Sequence, residues 1–320
     1  MIDMRIGGQG GAKPAPGRTP WPALLLAVPA ALLGVALAWA LILPGPLPGE
    51  AVVRVAADGA GATALGLAAL PRIAPRLRTP WRLLAVFAGV WAACEFAVLV
   101  FEAAEVVGVP VTELGAAEFG TYLADVSGGQ VGIAILVGVA TVAGGSALAF
   151  RRPESASADL VLVFAAVALA LRPITGHMSQ QVFGSVLAAV HALAAGAWFG
   201  LLIALALVVR TRGEWAVALP KYSAVALPLV AIVAVTGLLN GLIRVGGIAP
   251  FVSTGYGRIL LAKTVVLLAL LALGWWWRRS WVPRAADHRM DAQDSLRRAV
   301  AEVIVMALAF GLAATLAVTA

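Results

Sequence analysis

Apolar residues along this chain come in runs of about 20, separated by short connectors rich in Arg, Gly or Pro. At 1.5 Å of rise per residue, a helix of that length crosses the roughly 30 Å hydrocarbon core of a bilayer. The alternation of apolar and polar positions typical of a transmembrane barrel is not visible. The pattern therefore predicts an all-α, polytopic transmembrane helix bundle of about nine spans. The predicted spans are 21–43, 52–71, 81–101, 127–150, 158–174, 184–209, 222–245, 257–277 and 298–319.

The basic residues favour one orientation of this bundle, because cytoplasmic connectors are enriched in Lys and Arg. With the N-terminus inside, 18 of the 23 Lys and Arg residues fall in the predicted inner connectors and in the N-terminal segment. The outer connector 102–126 is instead acidic, and it is either a solvated loop or a short helix on the membrane surface. We therefore predict the N-terminus in and the C-terminus out. The predicted parts are a flexible cytoplasmic N-terminus over 1–20, a four-helix membrane half over 21–152 and a five-helix membrane domain over 153–320.

Composition agrees with this topology and excludes several functions. Hydrophobic residues make up 62% of the chain and charged residues 12%, with a mean hydropathy of +0.96, which is typical of a protein embedded in a lipid bilayer. The net charge of +7 is explained by the inner connectors, so we expect no nucleic-acid partner. Cys94 is the single cysteine, which excludes a disulfide framework. The chain also lacks a Walker A motif and an evident pair of nucleophile and base, so we expect no enzyme.

Polar side chains inside the spans are the first functional candidates, because ionisable groups at membrane depth are costly and usually face a bundle interior. Five of them, on five different spans, lie roughly 8–10 Å below the outer boundary. These residues are Asp58, Glu95, His191, Asn240 and Lys263. Arg244 and Arg258 lie at the outer ends of their spans. The layer either fixes helix packing, with Arg54 and Asp58 paired at i, i+4, or carries function.

Two of the three histidines lie close together in sequence, near the outer membrane boundary. His177 falls in an outer connector beside Met178, and His191 lies about two turns into the next span. Imidazole and thioether groups are suitable copper ligands. A single histidine in a helix is nevertheless more often a hydrogen-bonded core residue, and a spacing of 14 matches no standard zinc motif. Cys94, at a similar depth, is a further candidate ligand or a small apolar core residue.

Longer motifs in the second half of the chain, from about 160 to 319, carry a family resemblance. In chain order they are Thr175-Gly-His177, His191-Ala-Leu-Ala-Ala-Gly-Ala-Trp198-Phe-Gly200, Tyr222-Ser223 with Thr236-Gly-Leu-Leu-Asn240, Thr254-Gly-Tyr-Gly-Arg258-Ile-Leu-Leu-Ala-Lys263, and Leu296-Arg-Arg-Ala-Val-Ala-Glu302. This half resembles the copper resistance protein D (CopD) family of bacterial inner-membrane proteins. Two departures occur: Leu201 replaces a second glycine after Trp198, and Ala299 replaces a serine before Glu302.

The resemblance implies that the protein handles copper in the bacterial plasma membrane. It implies copper movement from the outer side toward the cytoplasm, capture at the outer face, and a soluble extracytoplasmic copper-binding partner. His177, His191 and Met178 are then the expected metal ligands. Two other functions fit the same residues: a membrane assembly factor that delivers copper to, or stabilises, a respiratory oxidase without transport, and a metal-free membrane scaffold.

Overall fold

A computed structural model describes residues 21–44, 49–153, 156–175, 183–245 and 249–319 of the chain. Within these ranges the secondary structure is helical throughout, with connecting turns and no strand. The prediction of an all-α, polytopic bundle is therefore confirmed. The α-helices are α1 Ala27–Ile42, α2 Gly49–Ile73, α3 Trp81–Val107, α4 Ala116–Asp125, α5 Ser127–Arg151, α6 Ala158–Leu171, α7 Gly184–Val208, α8 Arg212–Val245, α9 Pro250–Ser253, α10 Gly255–Ala286 and α11 Ala292–Val318.

Eight helical segments in the described ranges are long and apolar enough to cross a membrane, and α6, with 14 residues, is shorter than any of these eight. A 3₁₀ turn, Arg172–Thr175, continues α6. Together the two segments are about 29 Å long, which matches the hydrocarbon thickness. Asp159 at the start of α6 pairs with Arg72 at the end of α2, and Arg172 reaches the opposite end of the bundle. Together α6 and this 3₁₀ turn are long enough for a further crossing, which would give the nine spans that the sequence predicts.

By the distribution of Arg, we assign as the inner end of the bundle the one where α2 leads to α3, α5 to α6, α7 to α8 and α10 to α11. At the opposite end, the acidic connector after α3 contains the short helix α4, so this connector is not only a loop. Tyr122 of α4 is 3% exposed and packs with Leu99 and Ala103 of α3. Its hydroxyl donates a hydrogen bond of 3.3 Å to Glu102. Burial and the Glu102 carboxylate raise the pKa of the Tyr122 hydroxyl, which therefore stays protonated as a donor.

Helix α2 lies at the centre of the bundle although it has the lowest hydropathy of the eight long spans. It packs against both α3 and α7, and its buried face consists mainly of Ala, Gly and Leu. Small residues allow close helix approach, which drives helix association in membranes where lipid offers no hydrophobic contrast. Because α2 is shielded from lipid, it can carry polar residues that an outer helix could not.

The closest approach of α2 to α7 occurs at Gly66 and Gly200. A Cβ atom at Gly66 would overlap the backbone carbonyl of Gly200, and one at Gly200 would overlap the carbonyl of Ala62. Backbone atoms cannot move aside without separating the two helices. This glycine pair therefore fixes the spacing between the N-terminal and C-terminal halves of the bundle.

Gly66→Ala is expected to destabilise the protein by about 1–3 kcal/mol, the usual cost of forcing extra volume into a packed core. Gly59, two turns earlier on the same helix, has no atom within 4 Å of a Cβ placed there, so Gly59→Ala is the matched control. That control should be neutral or slightly stabilising, since alanine is the better helix former. Equilibrium unfolding in mixed detergent micelles measures the stability of both variants. Equal stability of the two variants would contradict this account of the helix contact.

Candidate functional site

The outer ends of α2, α3 and α6 share a partly buried cluster of charges. Arg54 of α2 donates to Glu50 at 2.6 Å and to Glu102 of α3 at 2.8 Å. Arg172 pairs with Glu102 at 3.2 Å and also forms an ion pair with Glu95. These contacts tie three helices together through two guanidinium groups. We call Glu50, Arg54, Asp58, Glu95, Glu102 and Arg172 the outer charge cluster.

Arg54 pairs with the acidic residue before it in α2 rather than with Asp58 after it. A glutamate four residues N-terminal to a basic residue is the better-oriented i, i+4 pair, and Glu102 of α3 supplies a second carboxylate on the same side. Asp58 lies within the electrostatic range of Arg54 and Arg172. It forms no ion pair with the residues that the structure describes. The pairing of Arg54 with Asp58, considered from sequence, is therefore not the one observed.

Glu95 is the most deeply buried member of the outer charge cluster, with 3% of its surface exposed. Besides the Arg172 ion pair, it accepts a hydrogen bond of 2.9 Å from the indole Nε1 of Trp91, one turn earlier on α3. One carboxylate oxygen thus accepts from the indole and the other faces the Arg172 guanidinium, so the buried charge has a counter-charge. Glu95 is thus a paired structural carboxylate.

His191 belongs to a second group of polar residues, formed by α7, α8 and α10. It lies seven residues after the start of α7, or about 10 Å below its outer end. Its Nδ1 is 2.9 Å from the Thr236 hydroxyl oxygen of α8. Thr236 in turn donates its proton to the backbone carbonyl of Ile232 at 2.6 Å. We call His191, Thr236, Asn240 and Lys263 the histidine cluster.

The hydrogen bonds of Thr236 determine which nitrogen of His191 is protonated. A hydroxyl can donate one hydrogen bond, and the Thr236 hydroxyl donates it to the backbone carbonyl of Ile232. Its oxygen must then accept from His191, so Nδ1 carries the imidazole proton. The carbonyl of Val233, which can only accept, also faces the ring. The Nε2 atom therefore carries the lone pair, and it forms no hydrogen bond with a described residue. This is the form in which imidazole binds metals.

Three features surround this imidazole. Gly237 leaves space beside it, since a Cβ there would come within 3.2 Å of His191 Cε1. Lys263 of α10 is close enough to act on its charge. Asn240, one turn outward from Thr236 on α8, has a buried Oδ1 without a hydrogen-bond partner among the described residues. The histidine cluster thus offers a lone pair and an unsatisfied acceptor next to a cationic group.

Arg244 and Arg258 have other roles at the outer end of the bundle. The Arg244 guanidinium lies over the Tyr256 ring, 5.7 Å from its centroid. The Nε atom of Arg258 donates a hydrogen bond of 2.8 Å to the backbone carbonyl of Leu41, at the end of α1. Both contacts hold helix ends in place.

The structure thus distributes the expected polar layer over different helix interfaces. Asp58 and Glu95 lie in the outer charge cluster, whereas Asn240 and Lys263 lie with His191. His177 and Met178 fall in 176–182, outside the described residues. In the ranges that are described, no three His, Cys, Asp or Glu side chains converge as a metal site, and Cys94 is a free thiol.

Fold and site define a multi-pass membrane protein with a polar interior in its outer half. Residues 216–316, about a third of the chain, match the family model of copper resistance protein D (CopD). The match begins in α8 and ends in α11, and it includes Thr236, Asn240 and Lys263 but not His191. This region is thus similar to copper-resistance membrane proteins. Searches of curated proteins and of solved structures gave no significant match.

Proposed function

We propose that this protein binds copper in the outer half of the bundle and transports it across the bacterial plasma membrane. The supporting observation is the position of the His191 imidazole: its Nδ1 lies 2.9 Å from the Thr236 hydroxyl, and its Nε2 forms no hydrogen bond with a described residue. Copper binds imidazole nitrogen in either oxidation state, and thioether sulfur mainly as Cu(I). His177 and Met178, in the connector that leads into α7, supply the remaining ligands in this proposal.

Capture at the outer face follows from the position of these residues in the chain. The connector 176–182 precedes the outer end of α7, and His191 lies about 10 Å below that end. Copper delivered by a soluble extracytoplasmic copper-binding protein would reach His177 and Met178 first and His191 next. Asn240, with its unsatisfied oxygen, lies on the adjacent helix at a similar depth.

Lys263 makes the proposed site one of moderate affinity. A positive charge near a bound cation opposes it, and the repulsion is larger inside a protein than in water. A transport site must bind its ion well enough to accept it and weakly enough to release it. The lysine beside His191 is consistent with a site that binds copper transiently during transport, and less so with a site that holds it permanently.

Thr236→Val is expected to weaken copper binding by about 10–100-fold, the usual effect of removing the hydrogen-bond partner of a metal-ligating histidine. Valine keeps the shape of threonine but cannot accept a hydrogen bond from the Nδ1–H group of His191. The imidazole therefore loses its fixed orientation. Thr236→Ser keeps the hydroxyl and should bind copper nearly as the unaltered protein does. Titration of purified protein with copper, in competition with a chromophoric chelator, measures all three affinities. Equal affinities for the valine and serine variants would refute the role of this hydroxyl.

A further inference from the structure

Glu302 is a buried carboxyl group in the inner half of the bundle, outside the histidine cluster. It lies on α11, is 6% exposed, and is ten residues, or about 15 Å, from the inner start of that helix. Helix α11 packs against α1, α2, α7 and α10. A carboxyl group at this depth is costly and is normally retained for a function.

Two aromatic side chains meet Glu302 at the same depth. Trp198 lies ten residues before the inner end of α7, and Tyr222 lies ten residues after the inner start of α8. The Trp198 indole faces the carboxyl group of Glu302. Tyr222 lies close enough to Glu302 to interact with its charge. Both aromatic residues are more than nine-tenths buried. Three helices therefore place polar atoms around one point in the inner half.

The chemistry of these neighbours differs from that around Glu95. An indole N–H only donates, and a phenol O–H can donate to a carboxylate. The Tyr222 hydroxyl lies near the Trp198 indole but makes no hydrogen bond of good geometry with a described residue. Glu95 and Glu102 each have an arginine, whereas no basic side chain in the described part of the chain pairs with Glu302. The charge of Glu302 is therefore not fixed by a resident cation.

The ion that best fits this arrangement is a proton. A copper ion needs several lone pairs, whereas this site offers one carboxyl group, one phenol oxygen and an indole that has none to give. A proton needs only the carboxyl group. When the proton is bound, Glu302 is neutral in its apolar surroundings. When the proton leaves, Trp198 and Tyr222 can donate hydrogen bonds to the carboxylate.

We propose that Glu302 is a proton-binding site whose charge controls the passage of copper through the inner half of the bundle. This role rests on the transport function proposed above. Proton release to the inner aqueous phase creates one negative charge in the inner half, which attracts the cation held near His191. Tyr222 of α8 is the titratable group that faces Glu302. Among the described residues of α1, α2, α7 and α10, no charged side chain acts on it.

The proposal predicts how copper uptake depends on pH. Proton release from Glu302 increases as the internal pH rises, so the rate of uptake should rise with internal pH. Glu302→Gln is neutral at every pH, and its slow uptake should lose this dependence, whereas Glu302→Asp should retain it. Both variants should still bind copper, because neither alters the ligands proposed at His177, Met178 and His191. Copper uptake into proteoliposomes of defined internal pH tests this, and unchanged pH dependence in Glu302→Gln would overturn the proposal.

A second measurement keeps the proton site testable if no copper is transported. Infrared spectra of the protein in lipid vesicles, recorded as the pH is changed, report the C=O stretch of protonated carboxyl groups. A band that titrates, disappears in Glu302→Gln and shifts in Tyr222→Phe would support proton binding even without uptake. A spectrum identical in the unaltered protein and Glu302→Gln would overturn it. Failure of transport alone would count against the copper permease and not against the proton site.

Discussion

Replacing Arg172 with methionine is expected to destabilise the protein by about 3–5 kcal/mol, the cost of leaving a buried charge without its partner. Arg172 contacts both Glu95 and Glu102, and its side chain is 13% exposed. Methionine keeps most of the side-chain volume, so the loss of stability measures the effect of removing the positive charge. Glu95 would then remain 3% exposed with Trp91 as its remaining donor among the described residues.

The inner end of the bundle supplies the matched control. Arg72 pairs with Asp159 at 2.7 Å, but the two side chains are 49% and 74% exposed. Water solvates both groups when such a pair is broken, so Arg72→Met should cost no more than about 1 kcal/mol. Adding Glu95→Gln to Arg172→Met should restore part of the stability, because it removes the uncompensated charge. Equal losses of stability in Arg172→Met and Arg72→Met would show that burial does not determine how much these ion pairs stabilise the protein.

The spans could be predicted because the length of an apolar run and the distribution of Arg depend only on local sequence. The depth of Asp58 or His191 followed from the rise per residue. The rotation of each helix about its axis could not be predicted from the sequence, because it depends on tertiary packing. Side chains at one depth therefore could not be assigned to particular helix interfaces, and the predicted single layer divides between the outer charge cluster and the histidine cluster.

Partner choice shows the same limit. Glu95 and Arg172 are 77 positions apart, and no local pattern links them. Arg54 has an acidic residue four positions away on each side, and the choice of Glu50 is accompanied by the contact with Glu102 of α3. The i, i+4 stripe of Thr236 and Asn240 was visible in the sequence. Its contact with His191 depends on how α7 and α8 pack, which only the structure describes.

His191→Ala is expected to lower copper affinity by more than about 100-fold, since removing even the hydrogen-bond partner of a ligating histidine costs about 10–100-fold. The variant removes the Nε2 lone pair on which the proposed site depends. His288, which is exposed at the inner end, is the control. Its backbone φ is 54°, in the left-handed region that asparagine tolerates, so the control is His288→Asn. We expect copper binding by His288→Asn to equal that of the unaltered protein.

The central claim is that copper crosses the membrane by way of His191, and copper uptake into proteoliposomes tests it most directly. Vesicles that contain the unaltered protein or His288→Asn should accumulate copper, whereas those with His191→Ala, or with His177→Ala and His191→Ala together, should not. Copper binding by the unaltered protein without uptake would contradict the claim and favour the assembly factor. Uptake by His191→Ala at the unaltered rate would remove His191 from the path.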